Sequence, residues 1–301
     1  MNFLITGGAG SVGRDLTALL LEKGHAVRVL DKRAEGESLQ GSLEDRPLVE
    51  RALQGIDTVV HLAWSFSDDP IELLQGDLKA HVVLLDACVA AKVSRLFYAS
   101  TAVVYGKPVE RPITEDSPCL VEDARKPFYA VAKLAAEKLA LIYWKTKGLP
   151  VTVFRFWWSY GKEIGGRHLR DMIALAQSGQ RLSVPGGAGG SFLDHDDLTH
   201  ALLLAGHEKA SIGQIFNLST AYLEWSEVAG MIVEAAHSPS GIEVVPRGQW
   251  QGAQFLADPW ELSTGKAQRL FGYHSLFPPA TARQRLANAI ALYREGLNRK
   301  L

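Results

Sequence analysis

The first thirty-one residues limit the possible folds more than any other stretch. Asn2-Phe3-Leu4-Ile5-Thr6 is an apolar run of strand length, and Gly7-Gly8-Ala9-Gly10-Ser11-Val12-Gly13 follows it directly. An amphipathic stretch over residues 14–23 comes next. Gly24 ends it, and Ala26-Val27-Arg28-Val29-Leu30 makes a second strand, closed by Asp31. Strand, glycine turn, helix, strand and acid fall within one βαβ unit, the arrangement that binds a dinucleotide. Gly7 permits the tight turn, Gly10 lets the backbone approach a pyrophosphate, and Gly13 lets the helix pack closely on the strand. The N–H groups of the first helical turn, around Ser11 and Val12, then face the phosphates. Asp31 accepts hydrogen bonds from the adenosine ribose hydroxyls, which favours NAD, because the 2′-phosphate of NADP would meet a carboxylate. Lys32 and Arg33 beside it are bases able to receive that phosphate, or simply a solvated loop, so NADP stays open.

Bulk properties narrow the class. A chain of 301 residues, 47% hydrophobic, buries a large core as one elaborated domain or two. A net charge of -1 with no basic block leaves no footprint for nucleic acid or an anionic membrane. No apolar run reaches the roughly 18 residues of a membrane span, and a strand starting at residue 2 leaves no room for a signal peptide. Cys88 and Cys119 make neither a disulfide framework nor a metal site, and no HExxH or CxxC motif is present. The expectation is a metal-free, cytoplasmic protein with a small-molecule ligand.

Past Asp31 the polar residues 32–40 read as a loop, and Gly41-Ser42-Leu43 as a short segment before a helix over 46–54. Residues 56–63 form a buried-type strand, 77–91 an apolar helix and 94–100 the next strand. This alternation predicts an α/β fold, a doubly wound parallel sheet with helices on both faces. Ligands in such sheets sit at the carboxyl ends of the strands. The glycine turn, Asp31, Ala63-Trp64 and Ser100-Thr101 should therefore meet in one crevice. Residues 107–127, rich in Pro and acids, read as a lid or rim. A helix over 128–147 carries Tyr129 and Lys133, and the strand 150–156 runs into Trp157-Trp158-Ser159-Tyr160-Gly161. Alternation then weakens: a helix over 169–177, a Gly-rich turn over 186–190, a helix over 197–206 capped by Asp196 or Asp197, a strand over 214–218, and a smaller α+β remainder. His195, at a helix start, reads as structural. Residues 1–161 plus roughly 192–220 are assigned to a dinucleotide-binding portion, and roughly 162–191 plus 221–301 to a substrate-binding portion.

Tyr129-Ala130-Val131-Ala132-Lys133 puts Tyr and Lys at i and i+4, on one face of a helix. A phenol with a pKa near ~10 is a poor base at neutral pH. An ammonium one turn away, with a nicotinamide cation, would bring it towards working pH. Tyr129 could then take a proton from a substrate hydroxyl while hydride leaves the same carbon. Thr101, at a strand's carboxyl end, could hold that oxygen.

The chain resembles the extended branch of the short-chain dehydrogenase/reductases, the NAD-dependent epimerase/dehydratase family. The resemblance runs through TGGAGSVG, VVHLA at 59–63, STAVVYG at 100–106, YAVAK at 129–133 and FRFWWSYG at 154–161. It continues through DHDD at 194–197, IFNLS at 215–219 and STGKAQRLFGY at 263–273, and so covers essentially the whole chain. It implies a Rossmann domain with a small C-terminal substrate domain, and a homodimer built on the helices 77–91 and 129–143. By the resemblance the catalytic Ser/Thr is Thr101, and the catalytic Tyr and Lys are Tyr129 and Lys133. The cofactor contacts are Gly7, Gly10, Ser11, Val12, Gly13, Asp31, Ser42, Leu43, Leu62, Ala63, Trp64, Ser100 and Trp157, with Tyr129 and Lys133.

Four departures bear on the ligand. Ser42 stands where the family often has an adenine-contacting Asp, and Asp77 where a helix usually carries Asn opposite the catalytic Tyr. Nucleotide-sugar members hold the substrate diphosphate with an Asn after the FRF strand and an Arg before the DHDD-like turn; this chain has Trp158 and Gly190. Arg167, His168 and Arg170 are replacements on the substrate side or solvated charges. Trp64, Trp157 and Trp158 offer aromatic faces for a sugar ring or ketone, or core packing. The leading expectation is an NAD-dependent oxidoreductase acting on a hydroxyl or ketone of a small polyhydroxy compound such as a sugar. The substrate contacts are Trp64, Thr101, Trp158 and Arg167. A redox-neutral nucleotide-sugar epimerase or dehydratase that keeps its NAD is the second reading. A non-catalytic NAD(P)-binding regulator is the third, and the intact Thr/Tyr/Lys set argues against it.

Overall fold

The computed structural model describes residues 1–34, 36 and 38–298. Residues 35 and 37 of the loop after Asp31, and 299–301 of the second portion, lie outside the described residues. The chain first lays down β1 (Asn2–Thr6), β2 (Ala26–Asp31), β3 (Leu39–Gln40), β4 (Thr58–His61), β5 (Arg95–Ala99) and β6 (Val151–Arg155). Next come β7 (Ser159–Tyr160), β8 (Leu182–Pro185) and β9 (Gly189–Asp194), and then β10 (Gln214–Asn217). A parallel sheet runs in the order β10-β6-β5-β4-β1-β2-β3. The chain starts in the middle, winds outward to β3, then crosses back to β4 on the other side of β1. The point of reversal lies between the carboxyl ends of β1 and β4, where a crevice opens in such sheets.

Period-two side-chain direction explains the two cores of this body. Phe3 and Ile5 of β1 face one way with Phe97 and Phe154, against Leu16 and Leu20 of α1 (Ser11–Glu22) and Leu198 and Leu202 of α7 (His195–His207). Leu4, Val59, Leu96 and Val153 face the other way, against α2 (Arg46–Ala52), α4 (Lys79–Ala91) and α5 (Pro127–Lys147). Strands covered on both faces are buried along their whole length, as β4 and β6 are.

The remaining strands, β11 (Ala221–Glu224), β12 (Ile242–Val245) and β13 (Pro259–Trp260), build smaller sheets. One has the order β11-β9-β13 with β7 beside β9, and β12 pairs with β8. Helices α6 (Arg167–Gln177), α8 (Trp225–Ala236) and α10 (Pro279–Asn298) pack with them around Trp158, Phe192, Trp225 and Trp260. The described helices also include α9 (Gly265–Phe271) and a short α3 (Pro70–Glu72). No helix among the described residues is long and apolar enough to cross a membrane.

Several local expectations are corrected. Helix α1 starts at Ser11 rather than residue 14, because the end of the glycine turn is already helical. The helix expected from residue 77 begins at Pro70, where the Asp69 carboxylate accepts from Ile71 and Glu72 N–H, and reaches α4 through a π-helical turn, Leu73–Leu78. The stretch 107–127 is a rim at its ends, where Lys107, Asp123, Arg125 and Lys126 line the cavity, but it is packed in the middle: Ile113 is buried and bridges to Leu262, with Ile113 N–H donating to Glu261 O at 2.7 Å. The Gly-rich turn ends at Gly187, and Gly189 and Gly190 are strand residues of β9. Asp194, not Asp196 or Asp197, caps α7 by accepting from Asp196 N–H at 2.9 Å. Asp197 is buried and accepts from Ser275 Oγ and Leu276 N–H. His195 is structural as expected: Nδ1 hydrogen-bonds the Asp15 carboxylate at 2.7 Å, tying α7 to α1.

Candidate active site

The glycine turn is shaped by steric necessity. Gly7 has φ +76°, and a Cβ there would lie 2.6 Å from Ala63 N at the end of β4. A Cβ on Gly13 would lie 2.5 Å from Gly7 O and from Gly8 Cα, so α1 packs on the turn itself rather than on the strand. Gly8, not singled out by the sequence reading, is pressed on Val29 of β2, where a Cβ would meet Cγ1 at 2.5 Å. Gly10 is less confined; a Cβ there would be 3.3 Å from Gly7 O. Ser11 Oγ is buried at this turn with no partner among the described residues. Asp31 organises the turn as well as facing the crevice: one carboxylate oxygen accepts from Ala9 N–H at 3.1 Å and the other from Arg33 N–H at 2.8 Å. Each oxygen keeps a lone pair for a ribose hydroxyl.

A cavity of about 2110 Å³ opens over the carboxyl ends of the strands. It brings together every residue named above as a cofactor or substrate contact: the turn residues, Asp31, Ser42, Leu43, Leu62, Ala63, Trp64, Ser100, Thr101, Tyr129, Lys133, Trp157, Trp158 and Arg167. Its volume exceeds the roughly 300–1,000 Å³ of an ordinary single-ligand pocket. That volume leaves room for more than one ligand.

Tyr129 and Lys133 face this cavity from the first turns of α5. Thr101 Oγ1 accepts from Val103 N–H at 3.2 Å, which turns the chain into a 3-10 segment and leaves its own O–H to donate. Lys133 Nζ donates to Ala99 O at 2.6 Å and sits 4.4 Å from the ring centroids of both Trp64 and Tyr98. Burial holds this ammonium down to about 7, against the pull of Glu137 and Asp77. Burial also pushes the Tyr129 phenol above its ordinary range, and the cation opposing it is Arg125. Lys133 Nζ is thus anchored at the end of β5, and Arg125 lies one turn before Tyr129 in the chain.

Below Lys133 the rings of His61, His81 and Tyr98 stack or tilt against one another at 4.9–5.6 Å. Burial drives His61 well below its ordinary range and His81 to about 3, so both are neutral. Ser100 Oγ donates inward to Glu137, so what this residue offers the cavity is backbone. Glu137 in turn accepts from Arg155 Nε at 2.9 Å and Nη2 at 2.6 Å, and both side chains are almost fully buried.

Features the sequence reading missed lie in the loop after β4. Phe66, 80% exposed, stacks on the Tyr129 ring at 5.9 Å. The loop is held there by Asp68, which accepts from Tyr129 N–H at 2.8 Å, by Lys126 donating to Phe66 O, and by Asp77 accepting from Ser65 N–H and Oγ. Asp77, in place of Asn, thus orients this loop. The π-helical turn carrying it, a form often found at functional sites, has no clear sequence signal.

The Trp158 and Gly190 departures are one structural change. The Trp158 indole is buried, stacked on Trp157 at 4.0 Å and edge-on to Trp225 at 4.9 Å. It fills the space beside β9 so closely that a Cβ on Gly190 would lie 2.3 Å from Cζ3. A side chain at residue 190 and this indole exclude each other.

Comparison with known proteins decides the family. The NAD dependent epimerase/dehydratase family matches residues 3–219. The chain belongs to this family. It is 30% identical to a UDP-glucose 4-epimerase of Corynebacterium glutamicum over 91% of this chain and 90% of that one. It is 27% identical to a UDP-glucose 4-epimerase of Halalkalibacterium halodurans over 92% of each. Among solved structures, a Thermotoga maritima UDP-glucose 4-epimerase with UDP-glucose superposes with a TM-score of 0.80 at 22% identity, covering 99% of this chain and 100% of that one. The dTDP-glucose 4,6-dehydratase DesIV of Streptomyces venezuelae, with NAD and TYD bound, gives 0.79 at 24% identity, covering 99% and 98%. These two likenesses concern the fold. As an epimerase/dehydratase family member the chain is an NAD-dependent enzyme. The cradle at Gly7 and Gly13, the orphaned Ser11 hydroxyl and the Asp31 carboxylate fit that cofactor.

Proposed function

We propose that this family member is an NAD-dependent oxidoreductase acting at a hydroxyl or ketone of a sugar or other small polyhydroxy compound. The observation that carries the reading is the Trp158–Gly190 packing. A buried indole occupies the place where the resemblance puts the donors for a nucleoside diphosphate. The turn residues 7–13 and Asp31 hold the cofactor, with Lys133 at the nicotinamide ribose. NAD, when bound, supplies the hydride acceptor. Tyr129 takes the proton of the reacting hydroxyl, and Thr101 holds the same oxygen through its O–H. In the reverse direction a phenol raised by burial stays protonated at neutral pH, ready to donate to an oxygen gaining charge. Arg125 and Lys133 are the charges that stabilise its phenolate. Residues 1–161 with roughly 192–220 form the cofactor portion in this reading, and the rest the substrate portion.

The redox-neutral reading, a nucleotide-sugar epimerase or dehydratase, is favoured by the cavity volume and by the names of the relatives. Absorbance of NADH on mixing enzyme and NAD with free sugars, sugar acids and nucleotide sugars separates the two. Net NADH with a sugar or sugar acid supports the oxidoreductase. A changed nucleotide sugar with no net NADH overturns it.

We further propose a homodimer, supported by the exposed apolar residues Phe128, Val131 and Ile142 on α5, in a cytoplasmic enzyme with no nucleic-acid or membrane partner. Light scattering and cell fractionation check the two claims.

A further inference from the structure

The substrate side of the cavity carries several cations, and most are already matched. Arg247 Nη2 pairs with Asp258 at 2.5 Å, and Arg167 Nε lies 3.6 Å from Asp171. Lys126 donates to Phe66 O, and Arg170, in the first turn of α6, lies over the Tyr293 ring at 5.8 Å. Arg125 is held by two rings instead of one. Its guanidinium lies 4.6 Å over the Phe255 ring and 5.8 Å from that of Trp157, and it makes no hydrogen bond or ion pair to any described residue. Ring faces fix the plane of a guanidinium but satisfy none of its five N–H donors. All three side chains line the cavity, as does His168, whose ring stands edge-on to Phe255 at 6.3 Å. Burial lowers His168 to about 4, with Arg125 adding to the effect, so beside the guanidinium stands a neutral imidazole.

A planar fork of donors, oriented by aromatic faces and left unpaired in a cavity, is the arrangement that receives an oxyanion in bidentate fashion. Its position narrows where the anion sits. Arg125 precedes Tyr129 by one turn, and it lines the same cavity as Trp157, Phe255, Thr101 and Tyr129, so the group it holds belongs to the ligand that meets Thr101 and Tyr129.

We propose that Arg125, held by Phe255 and Trp157, binds an oxyanion on the reacting sugar itself, a carboxylate or a phosphate, and makes the enzyme specific for a charged sugar. This rests on the reading of the site as a sugar oxidoreductase and adds the substrate's charge to it.

The test uses NAD-loaded enzyme with D-glucuronate, glucose 6-phosphate and D-glucose, measured by calorimetry and by NADH formation, in wild type and in Arg125→Gln. A charged hydrogen-bonded pair is worth roughly 10- to 100-fold in affinity. The expected result is that one charged sugar binds wild type at least ~10-fold tighter than glucose, and that Arg125→Gln brings it to the glucose level with NAD affinity and melting temperature unchanged. Preference for glucuronate assigns a carboxylate, and preference for glucose 6-phosphate a phosphate. If neither charged sugar binds more tightly than glucose, or if calorimetry shows that Arg125→Gln weakens the binding of charged and neutral sugars alike, the proposal is overturned. Arg125-dependent binding without NADH would keep the subsite and remove the oxidoreductase reading. NADH from neutral sugars without charge discrimination would do the reverse.

Discussion

Replacing Tyr129 by Phe lowers kcat/KM by about 10²–10⁴-fold, the usual contribution of a positioned general acid/base, while NAD affinity and melting temperature stay near wild type. The loss is confined to the proton because the rest of the residue's environment does not involve the hydroxyl. Phe66 stacks on the ring, and Asp68 accepts from the backbone N–H of Tyr129. Phe preserves both contacts. Steady-state kinetics with NAD and the sugar identified by NADH formation measure the effect. A variant retaining more than about a third of wild-type activity would show that the phenol moves no proton, and would favour a cofactor-binding regulator. The raised phenol sharpens this expectation: burial opposes phenolate at residue 129, and Arg125 offsets part of it.

The second large effect is on stability. Glu137→Leu is expected to destabilise the fold by about 3–5 kcal/mol, as removal of one partner of a buried ion pair does. For a chain of this size that is a fall in Tm of roughly 6–20 °C. The Arg155 side chain is 2% exposed and loses both of its carboxylate hydrogen bonds, and Ser100 Oγ loses its acceptor. Replacing both partners, Glu137→Leu with Arg155→Met, should recover much of the loss, because no uncompensated charge remains. Scanning calorimetry on the three proteins checks this. A Glu137→Leu variant within about 1 kcal/mol of wild type would contradict a buried charge pair beneath β5 and α5. Ser100 follows β5 directly and precedes Thr101, so the pair also fixes the chain that presents the Thr101 hydroxyl.

Much of the architecture was readable from periodicity. The 2–31 unit, the buried strands β4 and β6 and the long α5 carry their own signals: apolar runs, glycine at the turn, and Tyr and Lys one helical turn apart. What stayed hidden depends on contacts between distant residues. Gly190 looks like a turn residue in sequence, but it is a strand residue whose missing side chain makes room for Trp158. Ile113 in a Pro-rich loop gives no local sign that it will pair with Leu262. Lys133 was expected beside Tyr129 from the i, i+4 spacing, but nothing in that spacing shows that the end of strand β5 also engages its ammonium through Ala99 O. Arg125 itself sits in a charged loop and is distinguished only by the two rings, from residues 157 and 255, that hold it.

The most direct test of net oxidoreduction is the nucleotide carried by the purified protein. Purified without added cofactor, then denatured, the enzyme is expected to release well under one equivalent of NAD, and the native protein to bind and exchange added NAD reversibly. One equivalent of NAD that does not exchange would mean that the cofactor is retained through turnover. That result would contradict net oxidation and assign the site to redox-neutral chemistry.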